Sequence, residues 1–257
     1  MTGDATRLAV TGAGGHMGGE VIAAAAARDD VDVVLAVDRP SVEGPAGVDV
    51  ADEADLPALL ADRDPDVLVD FTVPDATRRY VAACADAGVA AVVGTTGLTD
   101  DVRERVRAAS DRVPVLVASN FSRGVAALRR AVREAVGTLP GYDVEITDTH
   151  HNRKRDAPSG TARTLLDDVD EVRGTDAERV HGREGEQPRE EGEIGVHARR
   201  AGDVTGSHEV LLADNHEVLQ LRHRAESRGV FAAGALDAAA WIDGRAPGRY
   251  EFTEVLE

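Results

Sequence analysis

Apolar residues near the start of the chain occur in short runs on either side of a glycine-rich turn. Residues 7–11 form one run, and residues 31–37 form a second, which is rich in β-branched side chains and ends at Asp38. Between them lie the glycines of residues 12–18 and an alanine-rich segment at 20–28, whose composition favours a helix. Strand, glycine turn, helix and strand in this order predict a βαβ unit.

The same alternation continues to about residue 120. Further strands are predicted at residues 66–71, 89–93 and 113–118, and helices at 55–62, 75–87 and 100–112. We interpret the pattern as about six βα repeats. Strands that alternate with helices predict an α/β domain with a parallel, doubly wound sheet of the Rossmann type.

The pattern changes after residue 121. A long helix is predicted at 122–137, a half-exposed strand at 143–148, a polar loop at 149–160, a helix at 161–170, a surface loop at 182–193, strand-like runs within 195–221 and a last helix at 229–243. Strands that cluster after a helical pattern predict a second, α+β domain with a mixed or antiparallel sheet.

The glycine turn is a candidate dinucleotide-binding site. Gly12 permits a tight turn, and Gly14 or Gly15 allows a pyrophosphate to approach the backbone. Gly18 lets the helix pack on the strand, and the helix start adds N–H groups and a partial positive charge. Asp38 follows Gly18 by 20 residues, the separation expected for a dinucleotide site. The alternative is a glycine-rich connection in an unrelated α/β fold.

The pair Asp38 and Arg39 bears on the choice of cofactor. A carboxylate at the end of the second strand would accept hydrogen bonds from ribose hydroxyls and favours NADH, whereas an adjacent arginine could bind a 2′-phosphate and admit NADPH. Residues 28–66 contain 3 arginines and 12 acidic residues, a background that disfavours the extra phosphate. The pair could also be no more than a solvated strand end.

Two further turns follow predicted parallel strands. Gly94, Thr95 and Thr96 follow one strand, and the other is followed by Ala118, Ser119, Asn120 and Phe121. Ligands of such sheets bind at the carboxyl ends of strands. We therefore expect these residues to hold the nicotinamide ribose and carboxamide.

The densest group of chemically active side chains lies at residues 145–161. Arg153, Lys154 and Arg155 place three positive charges in an acidic chain, beside His150 and His151, which suggests an anion-binding loop. Lys154 is the only lysine of the chain, and lysine, unlike arginine, can release a proton. It could also be a leftover surface lysine. A second anion site is expected where a helix begins at Ser159, Gly160 and Thr161.

No metal site is predicted. His150 and His151 are adjacent and point in different directions, there is no HExxH spacing, and no cysteine is nearby. The other histidines, among them His208, are interpreted as surface or hydrogen-bonded residues. Cys84 lies in an alanine-rich helix and is expected to be a small core residue.

Charge limits the range of partners. The chain has 29 basic and 47 acidic residues and a net charge of −18, which argues against nucleic acid and against anionic lipid. One cysteine, no signal pattern and no long apolar run predict a cytoplasmic protein without a membrane span. The acidic, lysine-poor composition is typical of proteins from high-salt cytoplasm, although a GC-rich genome could also deplete lysine.

Sequence motifs along nearly the whole chain resemble those of the dihydrodipicolinate reductase family. They comprise GAGGHMG at 12–18, VDFT at 69–72, GTTG at 94–97, ASNFSRGV at 118–125, HHNRKRDAPSGTA at 150–162, REGE at 183–186, RRAGDVTGSHEV at 199–210 and ESRGVFAAGA at 226–235. The histidine–lysine element with APSGT is specific, whereas the glycine turn is not.

The resemblance implies an NADH- or NADPH-dependent reduction of 4-hydroxy-tetrahydrodipicolinate in lysine and diaminopimelate biosynthesis. His150 and Lys154 would act as acid–base and proton-donor residues, and His151, Gly160 and Thr161 would bind the substrate carboxylates. Cofactor contacts would come from Gly12, Ala13, Gly14, Gly15, His16, Met17, Asp38, Arg39, Gly94, Thr95, Thr96, Ala118, Ser119, Asn120 and Phe121.

The resemblance also implies the domain plan. Residues 1–121 and 223–257 would form the dinucleotide-binding domain, and residues 122–222 the substrate domain, through whose sheet the family forms homotetramers. The family often has arginine at the position of His16 and glutamate at that of Asp148. Two alternatives stay open: another Rossmann reductase of an amino-acid-derived acid, such as an aspartate dehydrogenase, and a non-catalytic dinucleotide sensor.

Overall fold

The chain separates into two compact units in a computed structural model that describes residues 5–40, 42, 44, 45 and 47–256. One unit combines Met1–Ser122 with Arg228–Glu257, and the other is Arg123–Ser227. The first boundary lies one residue after the predicted one, and the second lies later than residue 222 because a strand continues to Ala225. Residues 1–4, 41, 43, 46 and 257 of the predicted first domain lie outside the described residues.

The described residues form twelve strands and seven α-helices. The strands are β1 (Thr6–Thr11), β2 (Val31–Asp38), β3 (Ala51–Asp52), β4 (Val67–Asp70), β5 (Ala90–Val93), β6 (Pro114–Val117), β7 (Asp143–His150), β8 (Arg179–Val180), β9 (Ile194–Arg200), β10 (Gly206–Asp214), β11 (Glu217–Ala225) and β12 (Gly248–Tyr250). The α-helices are α1 (His16–Ala25), α2 (Leu56–Arg63), α3 (Pro74–Ala87), α4 (Asp100–Ser110), α5 (Arg123–Thr138), α6 (Gly160–Arg173) and α7 (Gly229–Ile242).

The first unit contains a parallel sheet of seven strands in the order β12-β6-β5-β4-β1-β2-β3. The doubly wound architecture is confirmed, with β1 and β4 adjacent at the point where the winding reverses. The count of six repeats is wrong: in the first unit, the described residues hold five strands of at least four residues, the same five that were predicted. The short β3 and β12 of the same sheet were not predicted. Two or three residues are too few for a periodic sequence signal.

Side chains of the parallel strands are buried on both faces of this sheet. One apolar cluster joins Leu8 and Val92 of the strands to Val21 of α1 and Leu236 of α7. The other joins the alternate strand residues to α2, α3 and α4, and it includes Cys84, which is fully buried as predicted. Helices on both faces explain why these strands read as continuous apolar runs.

Helix α1 begins at His16, four residues earlier than predicted. Gly18 and Gly19 have low helix propensity, which favoured a later start. Tertiary packing overrides that preference because a Cβ at Gly18 would lie 2.1 Å from the carbonyl oxygen of Gly12. The glycine is therefore required for α1 to pack closely against the turn, and His16 and Met17 belong to the first helical turn.

The second unit contains a mixed sheet of five strands in the order β11-β10-β7-β9-β8, as predicted for an α+β domain. β7 pairs antiparallel with β10 and parallel with β9, and α5 and α6 supply the helical part of the core. The prediction that the polar loop begins at residue 149 is wrong. β7 continues to His150 because its backbone stays paired with Arg200 of β9.

No helix in the described part of the chain is both long and apolar enough to cross a membrane. The predicted surface loop at 182–193 contains no helix or strand. Within it, Arg183 is paired with Glu193, and Arg189 with Glu145 and Glu193, so arginines tie this segment to β7 and the start of β9.

Candidate functional site

The glycine turn of the first unit has the geometry of a phosphate-binding loop. Gly12 adopts φ +71°, and a Cβ there would lie 2.9 Å from Cγ2 of Thr72, so both conformation and space require glycine. Gly14 and Gly15 are exposed, and α1 begins directly after them. The residues present therefore fit a pyrophosphate at the start of a helix.

Backbone N–H groups in the turn itself are already engaged. Ala13 donates to the carbonyl of Val37 at 3.2 Å, and Gly15 donates to that of Gly12 at 2.9 Å. The side chain of Ala13 is fully buried. The first-turn N–H groups of α1, including those of His16 and Met17, have no acceptor within the helix and are the donors that geometry leaves for a phosphate.

Asp38 ends β2 beside the glycine turn. Its carboxylate accepts the N–H of Gly14 at 2.9 Å and that of Arg39 at 2.7 Å. The Arg39 side chain is 77% exposed, and its Nε is 3.9 Å from the Asp38 carboxylate. The two residues thus lie at the predicted strand end, with one side chain held and the other extended into solvent.

The other predicted cofactor turns also follow strand ends. Gly94 follows β5, where Thr96 is exposed, and Ala118 and Ser119 follow β6. Phe121 is only 1% exposed, with its ring packed edge-on against Phe71 and Phe252, so its side chain belongs to the core rather than to a ligand surface.

Thr95 also differs from expectation. Its side chain is 4% exposed, and its hydroxyl donates to Asp70 at 3.1 Å. The hydroxyl therefore faces the interior, which leaves the backbone of Thr95 for any ligand. Asn120 accepts the N–H of Ser122 at 2.8 Å through its side-chain oxygen.

In the second unit, two side chains at the end of β7 form a buried acid–imidazole pair. His150 Nδ1 lies 3.1 Å from Oδ2 of Asp148, and the Asp148 side chain is 1% exposed. Burial opposes ionisation of Asp148, but His150, Ser159 and Arg200 outweigh it and lower the pKa of the carboxyl to about 2. Asp148 is therefore a buried carboxylate beside an imidazole.

The start of α6 packs against this pair. Ser159 caps the helix by accepting the N–H of Ala162 at 3.2 Å, and its own N–H donates to Asp148 at 3.1 Å. Its hydroxyl is 3.2 Å from Nε2 of His208, which is buried. Ser159 is thus buried and held by these hydrogen bonds, whereas Gly160 next to it is exposed.

His208 is the functional candidate that sequence analysis missed. Its ring lies 5.2 Å from that of His150, centroid to centroid, in an edge-on arrangement. Burial, together with repulsion from His150, lowers the pKa of His208 to about 4, so the imidazole is neutral near pH 7. The sequence signal that could have indicated His208 is its position inside the family motif at 199–210.

Two basic side chains of the loop after β7, Arg153 and Lys154, form ion pairs. Lys154 Nζ is 2.7 Å from Asp156 Oδ1, and Arg153 is 3.1 Å from Asp203. Arg200 reaches Asp148 at 3.4 Å and also donates to the carbonyl of Asp156 at 2.6 Å. Asp148 therefore connects Arg200 to His150 through its carboxylate, and Asp156 connects Lys154 to Arg200 through its carboxylate and its backbone carbonyl. An anionic ligand would compete with Asp156 for Lys154.

Three side chains in this cluster have the spacing of metal ligands. One ligand atom each from Asp148, His150 and His208 lies within 4.8 Å of the others. The Arg200 guanidinium, however, is 3.4 Å from the same carboxylate, and a fixed positive charge there disfavours a divalent cation. Ser159 donates its N–H to Asp148, and its hydroxyl lies 3.2 Å from Nε2 of His208. The absence of a metal stays a prediction.

Known proteins with this sequence pattern identify the family. The model for the dihydrodipicolinate reductase N-terminus matches residues 6–121, and the model for its C-terminus matches residues 124–256. The chain belongs to the dihydrodipicolinate reductase family. Membership makes it an oxidoreductase that uses NAD(P)H, and it confirms the resemblance carried by the motifs.

Two relatives of known name match this chain almost from end to end. A protein of Haloarcula marismortui named 4-hydroxy-tetrahydrodipicolinate reductase is 53% identical, covering 98% of this chain and 99% of its own. One of Natronomonas pharaonis with the same name is 52% identical over 97% and 99%.

Solved structures agree with the fold. A dipicolinate-bound dihydrodipicolinate reductase from Paenisporosarcina sp. TG-14 has a TM-score of 0.79 and 25% identity, covering 96% of this chain and 97% of that one. An aspartate dehydrogenase from Thermotoga maritima shares the fold at a TM-score of 0.51 and 14% identity, covering 94% of this chain and 98% of that one. Aspartate dehydrogenase is the enzyme named above as an alternative function.

Proposed function

We propose that this chain reduces 4-hydroxy-tetrahydrodipicolinate to tetrahydrodipicolinate with NAD(P)H, as a step of lysine and diaminopimelate biosynthesis. The observation that carries the proposal is the cluster at the end of β7, where His150 lies against a buried carboxylate and Lys154 lies in the loop that leads to α6. A dinucleotide-binding protein with another substrate would not need this cluster. The near-complete match to relatives of that name supports the same conclusion.

The first unit would bind the dinucleotide, which supplies the hydride when bound. Backbone groups of residues 12–17 would hold the pyrophosphate, and Asp38 would accept the ribose hydroxyls. The turns at Gly94–Thr96 and Ala118–Phe121 would contact the nicotinamide end. Because Thr95 and Phe121 have buried side chains, their part would be played by backbone atoms.

The second unit would bind the cyclic dicarboxylate. His151, Gly160 and Thr161 would hold its carboxylates, with Ser159 shaping the start of α6 through its cap. The ring that accepts a hydride gains carbanion or enamine character, which must be protonated. His150 and Lys154 would supply that proton, and the cationic loop would stabilise the developing charge.

Both cofactors are expected to serve, with NADH at least as effective as NADPH. Asp38 repels a 2′-phosphate, whereas the exposed Arg39 attracts one. The acidic segment around them adds to the repulsion. The strand end therefore supports dual use rather than strict selection of either cofactor.

A homotetramer in a high-salt cytoplasm is the assembly and location that we propose. The net charge of −18 and a single lysine support the salt adaptation, and the two halophilic relatives, at 53% and 52% identity, support it independently. Light scattering on the purified chain in molar KCl would give the number of subunits.

The deciding experiment measures NADH oxidation in molar KCl with freshly generated 4-hydroxy-tetrahydrodipicolinate. Turnover with this substrate, and none with oxaloacetate and ammonia, supports the proposal. Turnover with the second pair alone would favour the aspartate dehydrogenase alternative. NADH binding without turnover of either would favour a dinucleotide sensor.

A further inference from the structure

Asp70 is a buried acidic residue in the first unit that the proposed chemistry does not use. It is the last residue of β4, next to β1 at the point where the sheet reverses its winding, and it is fully buried. Ligands of doubly wound sheets bind outside the carboxyl ends of the strands at this point. Asp70 therefore lies directly beneath the place where a dinucleotide is expected.

All five hydrogen bonds to the Asp70 carboxyl come from threonines. Oδ1 accepts the hydroxyl of Thr11 at 2.9 Å and both the hydroxyl and the N–H of Thr72, at 2.6 and 3.1 Å. Oδ2 accepts the hydroxyls of Thr77 and Thr95 at 2.5 and 3.1 Å. The donors are neutral, so burial dominates and raises the pKa of Asp70 despite them.

Three of these threonines belong to segments that surround the expected cofactor site. Thr11 immediately precedes Gly12, and Thr72 is the side chain that a Cβ at Gly12 would meet. Thr95 lies in the turn after β5, and its hydroxyl also accepts the N–H of Thr72 at 3.0 Å. One carboxyl group thus fixes the glycine turn, the turn after β4 and the turn after β5 relative to one another.

We propose that Asp70 is a positioning residue for the dinucleotide, holding three turns of the first unit in the arrangement that NAD(P)H requires. The inference rests on the proposed function, because it assumes that these turns contact the cofactor. Asp70 itself is fully buried and acts through Thr11, Thr72 and Thr95. Among the residues that the structure describes, no basic side chain pairs with this carboxyl, so its burial costs stability. What it gives in return is a set of turns already ordered before the dinucleotide binds, which lowers the cost of binding.

The fourth threonine provides a matched control. Thr11 and Thr77 are both fully buried, and each donates one hydroxyl hydrogen bond to the same carboxyl group. Thr11 adjoins the glycine turn, whereas Thr77 lies within α3 and outside the three turns. Replacing either by valine keeps the shape and removes one bond, so the two variants differ in which segment is released.

The test measures NADH affinity by fluorescence titration of the full chain in molar KCl, together with melting temperature. We expect Thr11→Val and Asp70→Asn to raise the Kd for NADH by at least about 10-fold and Thr77→Val to change it by less than about 2-fold. All three variants should melt at lower temperature than the wild type because each disturbs a buried hydrogen bond. In Asp70→Asn, one carboxylate oxygen becomes an NH₂ group. This group cannot accept the hydrogen bonds that the oxygen receives from threonines in the wild type.

Other outcomes would contradict the inference. If Thr11→Val and Thr77→Val weaken NADH binding equally, or if Thr11→Val and Asp70→Asn melt early yet bind NADH normally, Asp70 has a structural role only. If Asp70→Asn does not fold, the two threonine variants still decide. A wild-type chain that binds neither NADH nor NADPH would instead overturn the proposed function, so the two failures are distinct.

Discussion

His150 Nδ1 lies 3.1 Å from the carboxylate of Asp148, two residues earlier on the same strand. Alternate residues of a strand point to the same face, and the burial of β7 alternates accordingly. The pairing is therefore a direct consequence of β7 continuing to His150. Had the strand ended at residue 148, nothing in the backbone would fix the imidazole against this carboxylate.

The first prediction concerns Asp148 as the residue that orients His150. Asp148→Asn should lower kcat about 10- to 100-fold, because the imidazole loses its anionic partner, while the KM for NADH stays unchanged. Asp148→Glu should keep most of the activity, since it retains a carboxylate. Steady-state kinetics in molar KCl measures both.

A matched acid-to-amide control is available at Asp203, which pairs with Arg153 and has an 84% exposed side chain. Asp203→Asn should leave kcat within about 2-fold of wild type because an exposed ion pair contributes little. Equal kinetics in Asp148→Asn and wild type would show that His150 needs no carboxylate for its role.

The second prediction concerns the proton donor. Lys154→Arg keeps the charge near Asp156 but removes a proton that can be transferred, so kcat should fall at least about 10²-fold, about 2.7 kcal/mol in the barrier. NADH affinity should not change. His150→Gln should act likewise, and His151→Gln should raise the KM for the substrate instead.

Chemical labelling adds an independent measurement at the same residue. Because Lys154 is the only lysine, an amine reagent followed by peptide mass spectrometry reports on this side chain apart from the chain's α-amino group. Substrate should protect it. Near-wild-type turnover in Lys154→Arg would mean that the residue supplies charge alone and that His150 or water donates the proton.

Sequence patterns predicted the two fold types and most helices and strands because their signals are local. Buried parallel strands read as apolar runs, and the glycine turn and Asp38 have a fixed spacing. His150, Lys154 and Ser159 could be proposed as site residues for the same reason, since they occur within one short motif. The boundaries at His16 and His150 were missed because packing of Gly18 on Gly12, and pairing of β7 with β9, decide them.

The sequence could not predict the roles of residues that are distant along the chain and come into contact only in the folded structure. His208 is 58 positions from His150 in sequence, yet the antiparallel pairing of β10 with β7 places it opposite Asp148. Asp70 has no local partner pattern, because its threonines come from β1, the turn after β4, α3 and the turn after β5. Such groups require the strand order, which periodicity does not supply.

The third prediction concerns cofactor choice. Asp38→Ala should shift preference from NADH toward NADPH, because it removes the ribose acceptor and the repulsion of a 2′-phosphate while Arg39 stays exposed. Arg39→Ala should weaken NADPH more than NADH. The ratio of kcat/KM for the two cofactors measures each change, and an unaltered ratio in Asp38→Ala would place Asp38 away from the ribose.

The fourth prediction concerns salt. With a net charge of −18, like charges repel over about 10 Å at 0.1 M salt but only about 3 Å at 1 M. The melting temperature should therefore rise between 0.1 and 3 M KCl. Sucrose strengthens burial without screening charge, so it should stabilise less at equal osmolality. A melting temperature that is flat in KCl would contradict the halophilic interpretation.

The fifth prediction concerns stability in mild acid. Burial lowers the pKa of His208 to about 4 from 6.5, so between these values the unfolded chain binds a proton that the folded chain does not. The free energy of unfolding should be unaffected by this residue above about pH 6.5 and should fall as the pH drops toward 4, by up to about 1.4 kcal/mol per pH unit. His208→Gln can still hydrogen-bond Ser159 but does not titrate, so its decline should be shallower. Urea unfolding at a fixed KCl concentration compares the wild type with His208→Gln, whose acidic surface is identical. If the free energy of unfolding falls equally with pH in both proteins, His208 is protonated as readily in the folded chain as in the unfolded one.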